Sequence, residues 1–383
     1  MRHQNLALVL GTVDAHGPLS RADVAARTGL TRAAISSLVD ELIGGGVLVE
    51  AASTTASGRV GRPGRDLSVT DQGPAGLGLE VGVTHLSACV ADLRGEVRVH
   101  RRVAAANAGR PVGDVLAEAA ALAAEVEAQA AAVGLRVEGR VLAVPGAVGL
   151  GPGAVVESAP NLGWHRVDLA EHWPRAQTLP EAENEANLGA LAELWQQGAA
   201  DTFVHLSAEA GIGAALVVDG SLFRGARGYA GELGHVPVHP DGPRCRCGAR
   251  GCLEQYAGEP AVLRAAGLAA DTPDPVVVLA DRARAGDAPA LRALDQAGTA
   301  LGIALAGAVN LVDPAALLLG GAYAELADWL LPPMRAELAA RVTVRPWAPD
   351  WLAASRLGRR GPVVGAALLT VRRILDDPAR LWA

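Results

Sequence analysis

The spacing of apolar residues changes near residue 72, and this change constrains the fold more than any other feature. Before it, apolar residues recur at helical intervals: Leu6, Val9, Leu10 and Val13, then Ile35, Leu38, Val39 and Leu42. After it, runs of strand character dominate. A stretch rich in Ser, Thr, Gly and Arg (residues 53–65) leads to Asp71-Gln72-Gly73-Pro74-Ala75-Gly76, which reads as a linker. The expected division is therefore 1–72 and 73–383, in line with two or three domains for 383 residues.

Within the first part, residues 4–14 form an expected helix. Ser20 caps a second helix over 22–28, Gly29 supplies the turn, and Thr31 caps a third. Gly44-Gly45-Gly46 ends that helix, and residues 47–50 and 67–69 read as a strand pair. Two helices joined by a tight turn and followed by a hairpin make a winged helix-turn-helix. Such a module places the start of its second helix in the major groove. The candidate DNA contacts are thus Thr31, Arg32, Ser36 and Ser37, with Arg59, Arg62 and Arg65 in the wing. Residues 1–70 carry seven Arg against six acids, whereas the rest of the chain carries 27 against 35. A near-neutral module on an acidic body points to local rather than bulk attraction for a polyanion such as operator DNA.

From residue 77 three strand-like runs follow (77–83, 85–92 and 96–103). An Ala-rich helix over 114–133 and a short buried strand over 141–144 come next. This order predicts a ribonuclease-H-like lobe. A second set begins at Thr202, so the fold class expected is α/β. It is a two-lobed ribonuclease-H-like, actin-like sugar-kinase fold behind a winged helix-turn-helix.

All 34 basic residues are Arg, which excludes Schiff-base and P-loop lysine chemistry. No apolar run reaches the roughly 18 residues a membrane span needs, and residues 1–10 do not read as a signal peptide, so a cytoplasmic protein with no membrane partner is expected. Three of the four cysteines, Cys245, Cys247 and Cys252, fall within eight residues, with His235 ten residues upstream. Thiolates with one imidazole suit a structural Zn2+ ion, with His239 a rival fourth ligand. Cys89, in an alternating strand, reads as a small core residue. Glu181, Glu183, Asn184, Glu185 and Asn187 precede a helix expected from about Leu188, while Glu232, His235 and Glu254 surround the cysteines. Carboxylates, Asn and His beside glycines suit sugar hydroxyls, which both donate and accept hydrogen bonds. Asn184 and Glu185 also suit a helix cap.

The segments Gly231-Glu232-Leu233-Gly234-His235 and Cys245-Arg246-Cys247-Gly248-Ala249-Arg250-Gly251-Cys252-Leu253-Glu254 resemble the zinc and sugar signature of the ROK family of repressors and sugar kinases. The resemblance spans nearly the whole chain, winged module included. It implies that His235, Cys245, Cys247 and Cys252 bind zinc and that Glu232, His235 and Glu254 contact a sugar. Pro160-Asn161-Leu162-Gly163-Trp164 resembles the family's sugar-side loop and brings in Asn161.

Three departures from the family's kinases stand out. Their Asp-x-Gly-Gly-Thr phosphate loop reads Glu80-Val81-Gly82-Val83-Thr84 here, and their Asn-Asp pair, whose Asp is the general base, reads Asn184-Glu185. Their second phosphate loop reads Glu209-Ala210-Gly211-Ile212-Gly213, which brings negative charge towards a nucleotide phosphate. The expectation is a sugar-responsive regulator, a repressor binding its operator as a homodimer or homotetramer. A sugar or sugar phosphate enters the cleft, and no phosphoryl transfer occurs. The alternative is an ATP-dependent sugar kinase that also carries a DNA-binding module.

Overall fold

A computed structural model describes residues 1–52, 65–149, 155–209, 211–269, 272–343 and 345–382. The first 69 residues give helices α1 (Arg2–His16), α2 (Arg21–Thr28) and α3 (Arg32–Gly44). Three short strands accompany them, β1 (Leu19–Ser20), β2 (Leu48–Ala52) and β3 (Arg65–Val69), ordered β1-β3-β2. Local chemistry sets the ends. Ser20 Oγ accepts from the Asp23 N–H, α2 stops at Gly29 in the left-handed region, and Thr31 Oγ1 accepts from the Ala34 N–H. The apolar faces named above are buried together. Strands β2 and β3 pair antiparallel from Leu48 opposite Val69 to Ala52 opposite Arg65. This is a winged helix-turn-helix.

The expected linker differs from what forms. Only Thr70, Asp71 and Gln72 connect β3 to β4 (Gly73–Val81), which already begins at Gly73, whose N–H donates to the Gly134 carbonyl. The first lobe continues through β5 (His85–Asp92), β6 (Val97–Ala104), α4 (Val112–Ala132), β7 (Leu135–Val144), β8 (Ala147–Val148), β9 (Val155–Ala159), β10 (Trp164–Asp168), α5 (Leu169–His172) and β11 (Glu181–Asn184). Helix α6 (Glu185–Gln196) starts three residues before the expected Leu188, because Asn184 caps it by accepting from the Ala186 and Asn187 N–H groups.

The second lobe holds β12 (Phe203–Ala208), β13 (Ile212–Val218) and β14 (Ser221–Phe223), then α7 (Glu254–Ala257), α8 (Glu259–Ala265), α9 (Pro275–Arg284) and α10 (Ala288–Val312). Strand β15 (Ala316–Gly321), α11 (Ala327–Arg341) and β16 (Leu352–Ala354) complete it, and helix α12 (Gly361–Asp376) returns to the first lobe. The two five-stranded sheets run β11-β7-β4-β5-β6 and β14-β13-β12-β15-β16. Counting only the strands of each sheet in chain order, the third, second and first lie side by side, followed by the fourth and fifth; β8, β9 and β10 form a separate small sheet. The first three are antiparallel and the rest parallel. That is one ribonuclease-H-like topology used twice.

Two helices fill the seam between the sheets. Helix α12 lies on β4 and β7, α6 lies against β12 and β13, and the two pack on each other. The winged module is docked onto the same seam. Its apolar core is continuous with Leu93, Val363, Val371 and Ile374, so the module and α12 share one buried cluster. Trp382 lies over the end of α3, where a Cβ at Gly45 would overlap its ring at 2.1 Å. Arg94 Nε donates to the Val69 carbonyl at 2.7 Å, and Arg98 donates to that of Asp71 at 2.9 Å.

Candidate functional site

The cysteine loop follows β14 and returns to the start of α7. Backbone pairing between Pro237 and Cys252, and between Arg244 and Arg250, folds it into a compact knuckle. The knuckle brings His235, Cys245, Cys247 and Cys252 together, with all four donor atoms within 4.8 Å of one another. Cys245 Sγ lies 3.8 Å from His235 Nδ1, and Cys247 Sγ lies 3.7 Å from Cys252 Sγ. A tetrahedral zinc ion with bonds of about 2.3 Å to sulfur sets donor separations of roughly 3.8 Å, so this donor set fits one. Burial pushes the Cys252 thiol up to about 12, so ionising it at neutral pH needs a cation beside it. His239, the rival ligand, is not part of the group. Cys89 is fully buried in the first lobe, where its Sγ donates to the Val363 carbonyl at 3.3 Å.

Next to this knuckle, a cleft of about 1100 Å³ opens between the lobes. All six residues expected to contact a sugar line it: Asn161, Asn184, Glu185, Glu232, His235 and Glu254. Glu254 Oε1 is fixed by the Ile212 N–H at 2.9 Å. A Cβ at Gly211 would sit 2.8 Å from that oxygen and 3.0 Å from Asn161 Nδ2, so the absent side chain lets an acceptor and a donor meet at one place. The His235 ring faces two ways. Its Nδ1 points to the cysteines, and its Nε2 lies 3.9 Å from Glu232 Oε2 beside the cleft. Asn184 is more committed than its sequence suggested. Its Oδ1 caps α6, and its Nδ2 donates to the Gly146 carbonyl at 2.8 Å, which leaves one N–H for a ligand.

The inner part of the cleft is acidic. Glu80 is buried and lies 3.2 Å from His85 Nε2. Burial and the neighbouring Glu80 and Glu209 carboxylates push the Glu185 carboxyl up to about 8. Burial likewise raises Glu209, opposed by Arg359, whose Nη1 lies 3.1 Å from Glu209 Oε2 while its Nε donates to Glu325 at 2.6 Å. Sequence reasoning missed Arg359, which lies 150 residues from Glu209 in an unremarkable Arg-Arg-Gly run. No local pattern could have paired them.

The raised Glu185 pKa sets a pH dependence. The folded chain keeps this proton up to about pH 8, whereas the unfolded chain loses it in the ordinary carboxylate range. Between those limits the folded state binds more protons, so this group's contribution to stability falls as pH rises. Glu185→Gln removes the slope. Its stability relative to the parent should grow by about 1–3 kcal/mol between pH 5 and pH 8, measured by urea unfolding at both. A difference independent of pH would contradict the assignment.

On the winged module, Thr31, Arg32, Ser36 and Ser37 are exposed along one face of α3, while Ile35, Leu38 and Val39 are buried behind them. Arg32 has no ion pair among the described residues. Arg65 is the first residue of β3, in the β2–β3 hairpin, and is largely exposed, with its guanidinium 3.7 Å from Glu50. Arg59 and Arg62 lie outside the described residues.

The ROK family pattern matches residues 76–373, and a MarR family pattern matches residues 7–59. The chain belongs to the ROK family. It is 30% identical to the xylose repressor of Bacillus subtilis over 380 residues, covering 97% of this chain and 96% of that protein. Among solved structures, a ROK family transcriptional regulator described as a homolog of the E. coli MLC protein superposes with a TM-score of 0.77 at 28% identity. It covers 98% of this chain and 97% of the other. A ROK family glucokinase from Streptomyces griseus in complex with glucose and AMPPNP gives a TM-score of 0.66 at 29% identity, covering 77% of this chain and 98% of its own. Among the described residues, no helix is long and apolar enough to cross a membrane.

Proposed function

We propose that this ROK protein is a sugar-responsive transcriptional repressor that works in the cytoplasm as a homodimer or homotetramer. Residues 1–72 bind operator DNA through Thr31, Arg32, Ser36 and Ser37, with wing arginines Arg59, Arg62 and Arg65 along the backbone. Residues 73–383 bind a sugar through Asn161, Asn184, Glu185, Glu232, His235 and Glu254. A structural zinc ion on His235, Cys245, Cys247 and Cys252 locks the knuckle, holding the His235 ring so that Nε2 stays at the cleft.

One observation carries this reading. The winged module shares its apolar core with α12, α12 packs on α6, and α6 begins at Glu185 in the cleft. A sugar that favours one arrangement of the lobes shifts the α6–α12 seam and with it the module. It does so only to the extent that its affinity differs between the two arrangements. The full-length match to a xylose repressor supports the same reading.

Phosphoryl transfer is not part of it. Where the family's kinases place their base Asp, this chain has Glu185, whose extra methylene moves the carboxylate by about an ångström, a misplacement that can cost ~100-fold. Arg359 does not stand free for a phosphate, because Glu209 and Glu325 already hold it.

The test is the affinity of the full chain for the DNA upstream of its own operon, titrated with a panel of sugars. One sugar is expected to weaken operator binding by about tenfold or more, a coupling of about 1.4 kcal/mol. Tight DNA binding that no sugar alters would overturn the sensing role.

A further inference from the structure

The cleft, at about 1100 Å³, has room for more than one sugar ring, and the charges that line it bear on which ligand it takes. Seven carboxyl groups line it against three guanidinium groups among the described residues. Two of those guanidinium groups, on Arg102 and Arg246, are exposed. The third, on Arg359, lies between Glu209 at 3.1 Å and Glu325 at 2.6 Å. A sugar seated on Asn161 and Glu254, on either side of Gly211, has Glu209 two residues away along the same loop and Glu185 in the facing wall. We propose that this cleft takes an uncharged sugar and turns away its phosphate ester, with Glu209 and its partner Arg359 as the specificity-determining pair. The inference rests on the sugar-binding reading and narrows its ligand class.

The reason is electrostatic. A phosphate needs a free cation or an array of N–H donors, and the inner cation here is already held by two carboxylates. A phosphate dianion also adds charge to a place that is already overcrowded. Glu185 and Glu209 both line the cleft, and burial, followed by the Glu80 and Glu209 carboxylates, pushes the Glu185 carboxyl up to about 8. Like charges brought together away from water are costly and so disfavour the wrong ligand. An uncharged hydroxyl meets no such penalty, and a protonated Glu185 can donate to it.

The experiment is isothermal titration of the purified full chain with paired ligands. These are D-xylose, D-glucose and N-acetylglucosamine, each beside its terminal phosphate ester. At least one free sugar is expected to bind, with its ester weaker by about 100-fold or more. In Glu209→Gln, which removes one charge and one of the two carboxylates that hold Arg359, the gap is expected to shrink about tenfold. An ester that binds the parent chain as tightly as its sugar would overturn the inference while leaving sugar sensing intact. A gap unchanged in Glu209→Gln would remove this pair as its cause. If neither sugars nor esters bind, the sugar-sensing reading fails, and the inference with it.

Discussion

Replacing Cys252 with Ser is expected to drop the zinc content of the purified chain from about one ion per chain to well below half, since a structural site holds its ion through four protein ligands. Cys252 is fully buried, pairs through its backbone with Pro237, and stands two residues before Glu254. Without the ion, a buried polar group and two further thiols lose their partner, and the knuckle no longer holds His235 and Glu254 on the same side of the cleft. Sugar affinity is therefore expected to fall at least about tenfold, the scale on which displaced metal-site neighbours act. Elemental analysis and calorimetry with the effector sugar check the two effects separately. Cys89→Ala is the control. It removes a buried sulfur far from the knuckle and should cost about 1 kcal/mol of stability with full zinc content. Full zinc in Cys252→Ser would refute the site.

The second large effect is on DNA. Arg32→Ala is expected to weaken operator binding by about 10- to 100-fold, the 1–3 kcal/mol that a single well-placed arginine supplies to a base edge. Arg32 is exposed at the first position of α3, where a recognition helix meets the groove. Measuring affinity across salt concentrations separates two roles. A base contact leaves the salt slope nearly unchanged, and a phosphate contact lowers it by about one unit. Unaltered affinity would show that this face does not meet DNA. Point variants are the right instrument, because deleting residues 1–72 uncovers Leu93, Val371 and Ile374, which are buried against the module.

Much of the fold was legible because it depends on short-range physics. The winged module follows from apolar spacing in α1 and α3 and from the Ser20 and Thr31 caps, each acting within four residues of chain. The His and Cys cluster was legible because spacing within eight residues already brings three thiols within reach of one ion. The start of α6 was read three residues late, because Glu181 to Asn187 look too polar for regular structure. The Asn184 cap and the β11 register on β7 override that local signal. The linker was overread for the opposite reason. Gly73 to Gly76 have turn-like composition, but pairing with β5 and β7 makes them strand.

The sequence by itself picked out the residues proposed to carry the chemistry: the six that line the cleft, the four whose donor atoms cluster, and the exposed face of α3. It also determined that Glu80, Glu185 and Glu209 depart from a phosphate-handling pattern. Only the tertiary structure decided how these parts act on one another. Arg359 reaches Glu209 across 150 positions of chain, and the module rests on α12, the last helix to be made. The physical reason is range. Caps, spacing and ligand knuckles depend on neighbours within a few residues. Ion pairs and shared apolar cores depend on which distant surfaces are brought together when the two sheets close around α6 and α12.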